Sequence, residues 1–144
     1  MDDILKKQQQ FISDFSKFSD WEAKYAHIIK LGKLLPPLDN KHKTPVNLIK
    51  GCQSQVWLQA ELQGDKIIFS ADSDALIVRG LVAILIQVFS GQSCATIINA
   101  NVDFLKEIGL TNQLTPSRAN GLANMIKQFK NYAIAFNVLL NTQK

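Results

Sequence analysis

The sequence predicts an α+β fold, in which a small antiparallel sheet of about three strands packs against several helices. Residues 55–62 alternate between apolar and polar side chains, and a second apolar run, 67–69, follows after a glycine turn. This pattern is typical of a β-hairpin with one buried face. Residues 76–89 are apolar around almost the whole helical circumference, which predicts a central buried helix. Amphipathic stretches on either side of these elements predict the helices that cover the sheet.

The N-terminal part of the chain carries two helical patterns. The first has an apolar face formed by Ile4, Leu5, Phe11, Ile12, Phe15 and Phe18. Ser19 and Glu22 have the spacing of a capping box, so a second helix is expected to begin at Ser19. Pro36 and Pro37 should end it, because proline lacks the amide hydrogen and disfavours a helical predecessor. Residues 36–47 are then expected to form an exposed loop.

Local signals also place the elements around the hairpin. A third strand is expected at residues 46–50, just before the hairpin. After the hairpin, Asp72 and Ser73 are both competent N-caps for the central helix. That helix should end near Gly91, because glycine favours the backbone conformation that terminates a helix.

The C-terminal third of the chain is predicted to be helical. Short helices are expected at residues 95–98 and 103–108, the second closed by Gly109. Thr115 as N-cap and Pro116 at the first helical position begin a long amphipathic helix. Its apolar stripe consists of Leu122, Met125, Ile126, Phe129, Tyr132, Ala133, Phe136 and Leu140.

Length and composition fit one globular domain spanning residues 1–144, of which 47% are hydrophobic. Two cysteines, Cys52 and Cys94, are too few for a disulfide scaffold, so a reducing compartment is expected. The first residues lack the apolar run of a secretory signal. The longest apolar stretch is interrupted by Arg79 and is shorter than the roughly 20 residues that span a bilayer. These observations predict a cytoplasmic protein without a membrane partner.

The net charge is +4 at pH 7, and its distribution is more informative than its sum. Asp39 is the only acidic residue in a stretch that contains Lys30, Lys33, Lys41, Lys43 and Lys50. This basic approach to Cys52 fits either a solvated loop or an electrostatic docking surface, and both interpretations stay open. No aromatic-rich basic motif for stacking bases is present, so a nucleic-acid partner is not expected.

Cys52 is the strongest candidate for a chemically reactive residue. It follows Gly51 and lies between the basic loop and the first predicted strand. A working cysteine reacts as its thiolate and needs partial access, and glycine beside it removes bulk that would obstruct another protein. Free cysteine is also commonly a small buried side chain. From position alone, Cys52 fits either role.

Other classes of site match this sequence less well. A cysteine hydrolase needs a base near the thiol, for which only His27 and His42 are candidates. His27 is expected on the second helix and His42 in the lysine-rich loop, so the hydrolase with His42 remains an alternative. Structural zinc and iron-sulfur sites use about four ligands, mainly thiolates, so no metal site is expected. The sequence also lacks the glycine-rich phosphate loop of nucleotide hydrolases.

Four ordered segments carry a resemblance that covers roughly residues 20–130. They are LGKLLP at 31–36, NLIKGCQSQVWL at 47–58, DSDALIVRGL at 72–81 and LTPSRANGL at 114–122. In sequence, order and spacing they resemble the SufE family of sulfur acceptors, which includes CsdE-type relatives. The segment around the cysteine is the most specific of the four.

The resemblance implies a three-stranded antiparallel sheet with surrounding helices, related to iron-sulfur scaffold proteins but without their cluster-binding cysteines. It implies that a pyridoxal-phosphate cysteine desulfurase of the SufS or CsdA type removes sulfur from L-cysteine and passes it, as persulfide sulfur, to Cys52. The acceptor would stimulate the desulfurase and relay sulfur to an iron-sulfur assembly scaffold. It would then be a carrier rather than an enzyme, with no cofactor of its own, since the pyridoxal phosphate would belong to the partner.

The same segments single out residues around Cys52. Arg118, beside the cap of the last helix, would stabilise a thiolate or contact the partner, unless it forms only a surface ion pair. Asp74, expected in the first turn of the central helix, would complement the helix dipole or influence the position of the cysteine loop. Gln53 and Gln55 would hydrogen-bond around that loop.

Several questions stay open at this point. A CsdE-type acceptor would feed another sulfur pathway, and the free protein would be a monomer or a homodimer. The sequence also leaves undecided whether Cys52 is buried at rest. Cys94 is expected to be a passive thiol, because free cysteines are commonly buried.

Overall fold

The computed structural model describes residues 2–142, which form a three-stranded sheet covered by helices. The N-terminal half contains α1 (Asp2–Ser16), α2 (Trp21–Leu34), a one-turn 3-10 helix (Asn40–His42), β1 (Val56–Gln63) and β2 (Lys66–Ser73). The C-terminal half contains α3 (Leu76–Phe89), β3 (Gln92–Ser93), α4 (Cys94–Asn99), α5 (Phe104–Glu107), α6 (Leu110–Gln113) and α7 (Pro116–Thr142). Among these helices, none combines the length and apolar character needed to cross a membrane.

The sheet is antiparallel, with the strand order β1-β2-β3. β1 and β2 form the predicted hairpin and pair in register from Val56 opposite Ser73 to Gln63 opposite Lys66. The short strand β3 pairs with the other edge of β2. The predicted α+β class, with a three-stranded antiparallel sheet packed against helices, is therefore confirmed.

The third strand is not the predicted one. Residues 46–50 lie beside β1 but form only an isolated bridge, in which Leu48 pairs with Trp57. On one side of this bridge the chain turns, with the Leu48 amide bonded to the Pro45 carbonyl at 3.3 Å. On the other side Gly51 redirects the chain with a φ of +85°. These two turns leave too little extended backbone for a strand.

α3 forms the centre of the core, as its apolar circumference predicts. Ten of its residues are buried, and Ile84 and Leu85 are completely inaccessible. On one side, the Phe129 ring of α7 packs 4.6 Å from the ring of Phe69 and 5.3 Å from that of Phe89, measured between centroids. The sheet, α3 and α7 are therefore joined by aromatic contacts as well as by aliphatic burial.

α2 crosses α3 at two facing glycines, Gly32 and Gly80. A Cβ atom on Gly80 would lie 2.6 Å from Cγ2 of Ile28, and one on Gly32 would lie 2.7 Å from the Gly80 nitrogen. Both separations are shorter than nonbonded atoms allow, so only glycine permits the helices to approach this closely. The crossing fixes the N-terminal half of α3 against α2, and the chain that leaves α2 leads towards the cysteine.

Two predicted helix caps are wrong. The N-cap of α2 is Asp20 rather than Ser19, and its carboxylate accepts a hydrogen bond from the amide three residues later at 2.8 Å. Neighbouring Ser and Asp residues are both competent caps, so the sequence pattern could not choose between them. The N-cap of α3 is Ala75, which has no side-chain cap, because β2 continues through Asp72 to Ser73.

The helices after α3 follow the prediction closely. α4 and α5 lie where short helices are expected, whereas α6 was not predicted. Gly109, with a φ of +89°, separates α5 from α6. Oγ1 of Thr115 accepts a hydrogen bond from the Arg118 amide at 3.3 Å, so Thr115 caps α7, which begins at Pro116 as expected.

The buried carboxylate of Asp72 joins three segments at the end of β2. It accepts hydrogen bonds from the backbone amides of Leu38 at 3.1 Å and Ser73 at 2.8 Å. It also forms ion pairs with Lys43 at 3.3 Å and with Arg79 at 3.4 Å. Arg79 in turn donates to the C-cap carbonyl group of α2 at 2.6 Å. Through this carboxylate, β2 holds the loop after α2 and the first turn of α3.

Burial by itself would raise the pKa of Asp72. The amides of Leu38 and Ser73 and the charges of Lys43 and Arg79 outweigh that effect and hold the pKa below its ordinary value. The stabilisation from this carboxylate is therefore complete above the pKa of an unfolded aspartate, about 3.9, and is lost as the pH falls through the lower folded pKa.

We predict that Asp72→Asn lowers the free energy of unfolding at pH 7 by about 3 kcal/mol, because it leaves two partly buried cations without their counter-charge. Urea unfolding at a series of pH values measures this difference. Since the wild-type carboxylate is protonated in acid, the gap between the two proteins should narrow below about pH 4. Asp65→Asn, at an exposed aspartate of the hairpin turn, is the control and should change stability by less than about 0.5 kcal/mol. A difference in unfolding free energy that stays constant down to the pH of acid unfolding would contradict the stabilising role of the Asp72 carboxylate.

Candidate functional site

Cys52 lies in a short segment between the bridge at Leu48 and the start of β1, which we call the cysteine loop (residues 50–55). The backbone at Gly51 has a φ of +85°, a conformation that favours glycine. The side-chain amide of Asn124 on α7 donates to the Gly51 carbonyl at 3.0 Å. Asn124 also fills the space that a Cβ atom on Gly51 would need. α7 therefore holds the upstream end of the cysteine loop.

The downstream end of the loop is held at Gln55. Its amide donates to the carboxylate of Asp74 at 3.0 Å, and its carbonyl accepts from the Ser73 hydroxyl at 2.8 Å and the Asp74 amide at 3.3 Å. Asp74 is thus not in the first turn of α3, as the sequence suggested, because that helix begins only at Leu76. Its carboxylate caps the loop backbone instead of the helix.

Between these two anchors, the sulfur of Cys52 points towards α7. Sγ lies 3.7 Å from the carbonyl oxygen of Gly121, to which the thiol donates a weak hydrogen bond. Gly121 is buried, and a Cβ atom added there would just touch the sulfur. The thiol is half-buried and opens into a cavity of about 90 Å³. That cavity is lined by Cys52, Gln53, Ser54, Val78, Leu81, Ser117, Arg118, Gly121 and Met125.

The electrostatics of this cavity keep the resting thiol neutral. Burial raises the pKa of Cys52 above its ordinary value. Because the thiolate is the reactive form, the resting side chain is a poor nucleophile at neutral pH. Arg118 lines the same cavity, and a cation near a thiol favours the thiolate form.

The structure brings together some of the residues that the sequence singled out. Gln53 and Arg118 line the cavity with Cys52, whereas Gly51 and Asp74 take part in the loop anchors. The side chain of Gln55 is exposed and lies outside the cavity lining, so this residue acts in the loop through its backbone. Cys94 is buried, with 4% of its surface exposed, at the start of α4.

Asn124 and Gly121 belong to this site and were not recognised from the sequence. Both lie on α7 within two turns of Arg118, so helical spacing places them on related faces. That spacing was available in the sequence. The sequence did not show which face of α7 contacts the cysteine loop.

Neither histidine shares the cavity of Cys52. His42 lines a different cavity, of about 350 Å³, beside Leu35 and Asp39. The His27 ring packs against Phe15 and Phe18, and burial, opposed by the Asp14 charge, lowers its pKa. The structure therefore does not assemble the cysteine and histidine pair that a hydrolase requires.

Possible metal ligands are also scattered. Within residues 2–142, no three side chains of the His, Cys, Asp and Glu types converge closely enough to hold an ion. Both cysteines are free thiols. The chemistry available at this site is accordingly that of one thiol with a neighbouring cation.

The sequence model of one protein family, described as "SufE: Fe-S metabolism associated domain", matches residues 9–133. The chain belongs to the SufE family. An uncharacterised SufE-like protein of Rhizobium etli is 42% identical over 135 residues, which cover 90% of this chain and 91% of that relative. A second uncharacterised SufE-like protein, from Rhizobium meliloti, is 42% identical over 129 residues, which cover 86% of this chain and 92% of that relative.

A solved structure supports the fold independently. The solution structure of a hypothetical protein from Thermus thermophilus superposes with a TM-score of 0.73, covering 90% of this chain and 94% of that one. The two sequences are only 18% identical, so this likeness concerns the fold alone. The SufE-family assignment rests on the family and sequence matches.

We predict that alkylation of Cys52 by iodoacetamide is slow at neutral pH in the native protein, because the raised pKa keeps the sulfur protonated. Peptide mass mapping of Cys52 over a pH series should give an inflection above that of an ordinary thiol. The same cysteine in urea should titrate at the ordinary value of about 8.5. An inflection at or below that value in the folded protein would contradict the burial effect.

We further predict that Asn124→Ala speeds alkylation of Cys52 about fivefold at fixed pH. Loss of one hydrogen bond, worth about 1 kcal/mol, raises the fraction of molecules with an open cysteine loop. Asn120→Ala is the matched control, since it removes an exposed amide from the same helix without touching the loop. Equal rates for the two variants would show that Asn124 does not hold the loop.

Proposed function

We propose that this SufE-family protein accepts sulfur from the persulfide of a cysteine desulfurase on Cys52 and relays it to iron-sulfur cluster assembly. The observation that carries the proposal is the position of the Cys52 sulfur. It lies half-buried in a cavity of about 90 Å³ that Arg118 also lines. One water molecule takes about 30 Å³ of the liquid, so the cavity has room for one additional sulfur atom.

The transfer step conserves atoms and electrons. The Cys52 thiolate attacks the terminal sulfur of the partner's persulfide, a new S–S bond forms at Cys52, and the S–S bond of the partner breaks. The partner's cysteine leaves as a thiolate, so one persulfide replaces another and no external oxidant or reductant is consumed. In delivery, the thiolate of the next acceptor attacks the outer sulfur of the Cys52 persulfide, the S–S bond at Cys52 breaks, and Cys52 leaves as a thiolate.

The geometry suits a carrier that reacts only with its partner. The raised pKa of the resting thiol keeps it unreactive, and both ends of the cysteine loop are tied to the folded domain. A docked partner that shifts the loop would bring the sulfur out of its apolar surroundings. Arg118 lines the same cavity and is the cation that would stabilise the resulting thiolate.

A cysteine hydrolase is the weaker candidate on the same observations. Binding sites for organic substrates usually have volumes of about 300–1,000 Å³, whereas the cavity at Cys52 is several times smaller. His42, the base that such an enzyme would need, lines another cavity. We therefore propose a carrier without a cofactor of its own, in which the pyridoxal phosphate belongs to the desulfurase.

The proposal also covers the compartment in which the transfer occurs and the protein that receives the sulfur next. Two free thiols are stable in the cytoplasm, which is where the transfer would occur. The next acceptor would be an iron-sulfur assembly scaffold. A CsdE-type role, in which the sulfur enters a different pathway, would use the same residues of this chain.

We predict that the protein, mixed with L-cysteine and each cysteine desulfurase of its organism in turn, gains one sulfur atom with one of them. Intact mass and reversal by dithiothreitol identify the persulfide. Cys52→Ser should abolish both the mass gain and any stimulation of the desulfurase, since it removes the acceptor sulfur. Cys94→Ala should retain both. A mass gain that persists in Cys52→Ser, or the absence of a mass gain with every desulfurase, would contradict the proposed function.

A further inference from the structure

A cleft larger than the cysteine cavity adjoins the upstream end of the cysteine loop. It has a volume of about 660 Å³ and runs between the segment that precedes Cys52 and the middle of α7. One wall carries Val46 and Lys50, and the other carries Asn124, Lys127 and Gln128. We call it the lysine cleft. It ends at Gly51 and therefore borders the residue that precedes the acceptor cysteine.

We propose that the lysine cleft binds an acidic, extended segment of the sulfur donor protein. This inference rests on the proposed function and names the surface that the donor uses. Lys50 and Lys127 are exposed, and the lining contains no acidic residue. Within residues 2–142, neither lysine has a carboxylate within ion-pair distance. Both charges are therefore available to carboxylates of another protein.

The other groups in the cleft suit a polypeptide. Gln128 and Asn131, together with Asn124, place side-chain amides along one face of α7. An amide both donates and accepts, so such a row can pair with the N–H and C=O groups of an extended chain. Neither Gln128 nor Asn131 forms a side-chain hydrogen bond in the part of the chain that the structure describes.

Val46 adds an apolar contact at the rim. Its side chain is 86% exposed, which makes it the most exposed of the large apolar side chains in residues 2–142. An apolar residue of the partner would cover it. A nucleic-acid strand fits the cleft less well, because the lining combines only two cations with an exposed valine and has no aromatic ring for base stacking.

The position of the cleft favours the donor as occupant. The sulfur of Cys52 faces the cysteine cavity, whose lining shares no residue with the lysine cleft. A segment of the donor in the lysine cleft would therefore leave the sulfur uncovered. Asn124 lines the cleft and also bonds the Gly51 carbonyl, so the occupied surface adjoins the upstream loop anchor.

The test compares two double variants with the same change in net charge. Lys50→Glu/Lys127→Glu should raise the KM of the desulfurase for this protein about tenfold or more while changing kcat less than twofold, because like charges then face each other. Lys6→Glu/Lys66→Glu, at exposed lysines outside the cleft, should leave KM within about twofold of wild type. Excess inorganic polysulfide should still load one sulfur atom on Cys52 in both variants, which shows that each keeps a competent thiol.

A second measurement identifies the occupant. A photo-crosslinking amino acid at position 46 should capture a desulfurase peptide that contains at least two Asp or Glu residues, whereas the same group at position 66 should capture none. Equal KM values for the two double variants, or a captured peptide without carboxylates, would overturn the proposal. So would retention of an RNA oligonucleotide that only Lys50→Glu/Lys127→Glu abolishes. If wild type gains no sulfur at all, the proposed function itself fails, a result distinct from these.

Discussion

The arrangement around the cysteine depends on the buried carboxylate of Asp72. Its partners come from separate parts of the chain: Leu38 and Lys43 from the loop after α2, and Arg79 from α3. A carboxylate with 4% exposure would be costly without such partners, and each of them loses a partner if the carboxylate is removed. The next two residues along the chain bond the backbone of Gln55. The cysteine loop is therefore built directly onto the segment that this carboxylate fixes.

Because the cysteine loop is held at both ends, a change at either anchor can shift the residues between them. Cys52 lies between the Asn124 anchor and the Asp74 anchor, with its sulfur against Gly121. In this state the thiol is shielded and protonated, which also protects it from oxidation, because oxidants attack the thiolate most readily. In the proposed transfer, a partner would have to weaken only the few hydrogen bonds that hold the loop, and the core around α3 would stay intact.

The sequence determines the local features of this structure well. The hairpin, the buried central helix and the start of α7 at Pro116 follow from periodicity and capping residues, which act over a few positions. The third strand and the role of Asp72 depend on which segments meet in space. Asp72 precedes a helix and has the residue type of a cap, so nothing local distinguishes it from one. Asn124 was missed for the same reason, since its partner is distant in the chain.

α7 is one continuous helix from Pro116 to Thr142, and that continuity sets a fixed spacing. Gly121 lies against the Cys52 sulfur, and Lys127 lies six positions further along the same helix. With a rise of about 1.5 Å per residue, the two points are roughly 9 Å apart along the axis. In the proposed complex, a donor that engages both points would present its persulfide sulfur and its negative charge at that interval. A protein whose groups are spaced differently would not fit both points at once.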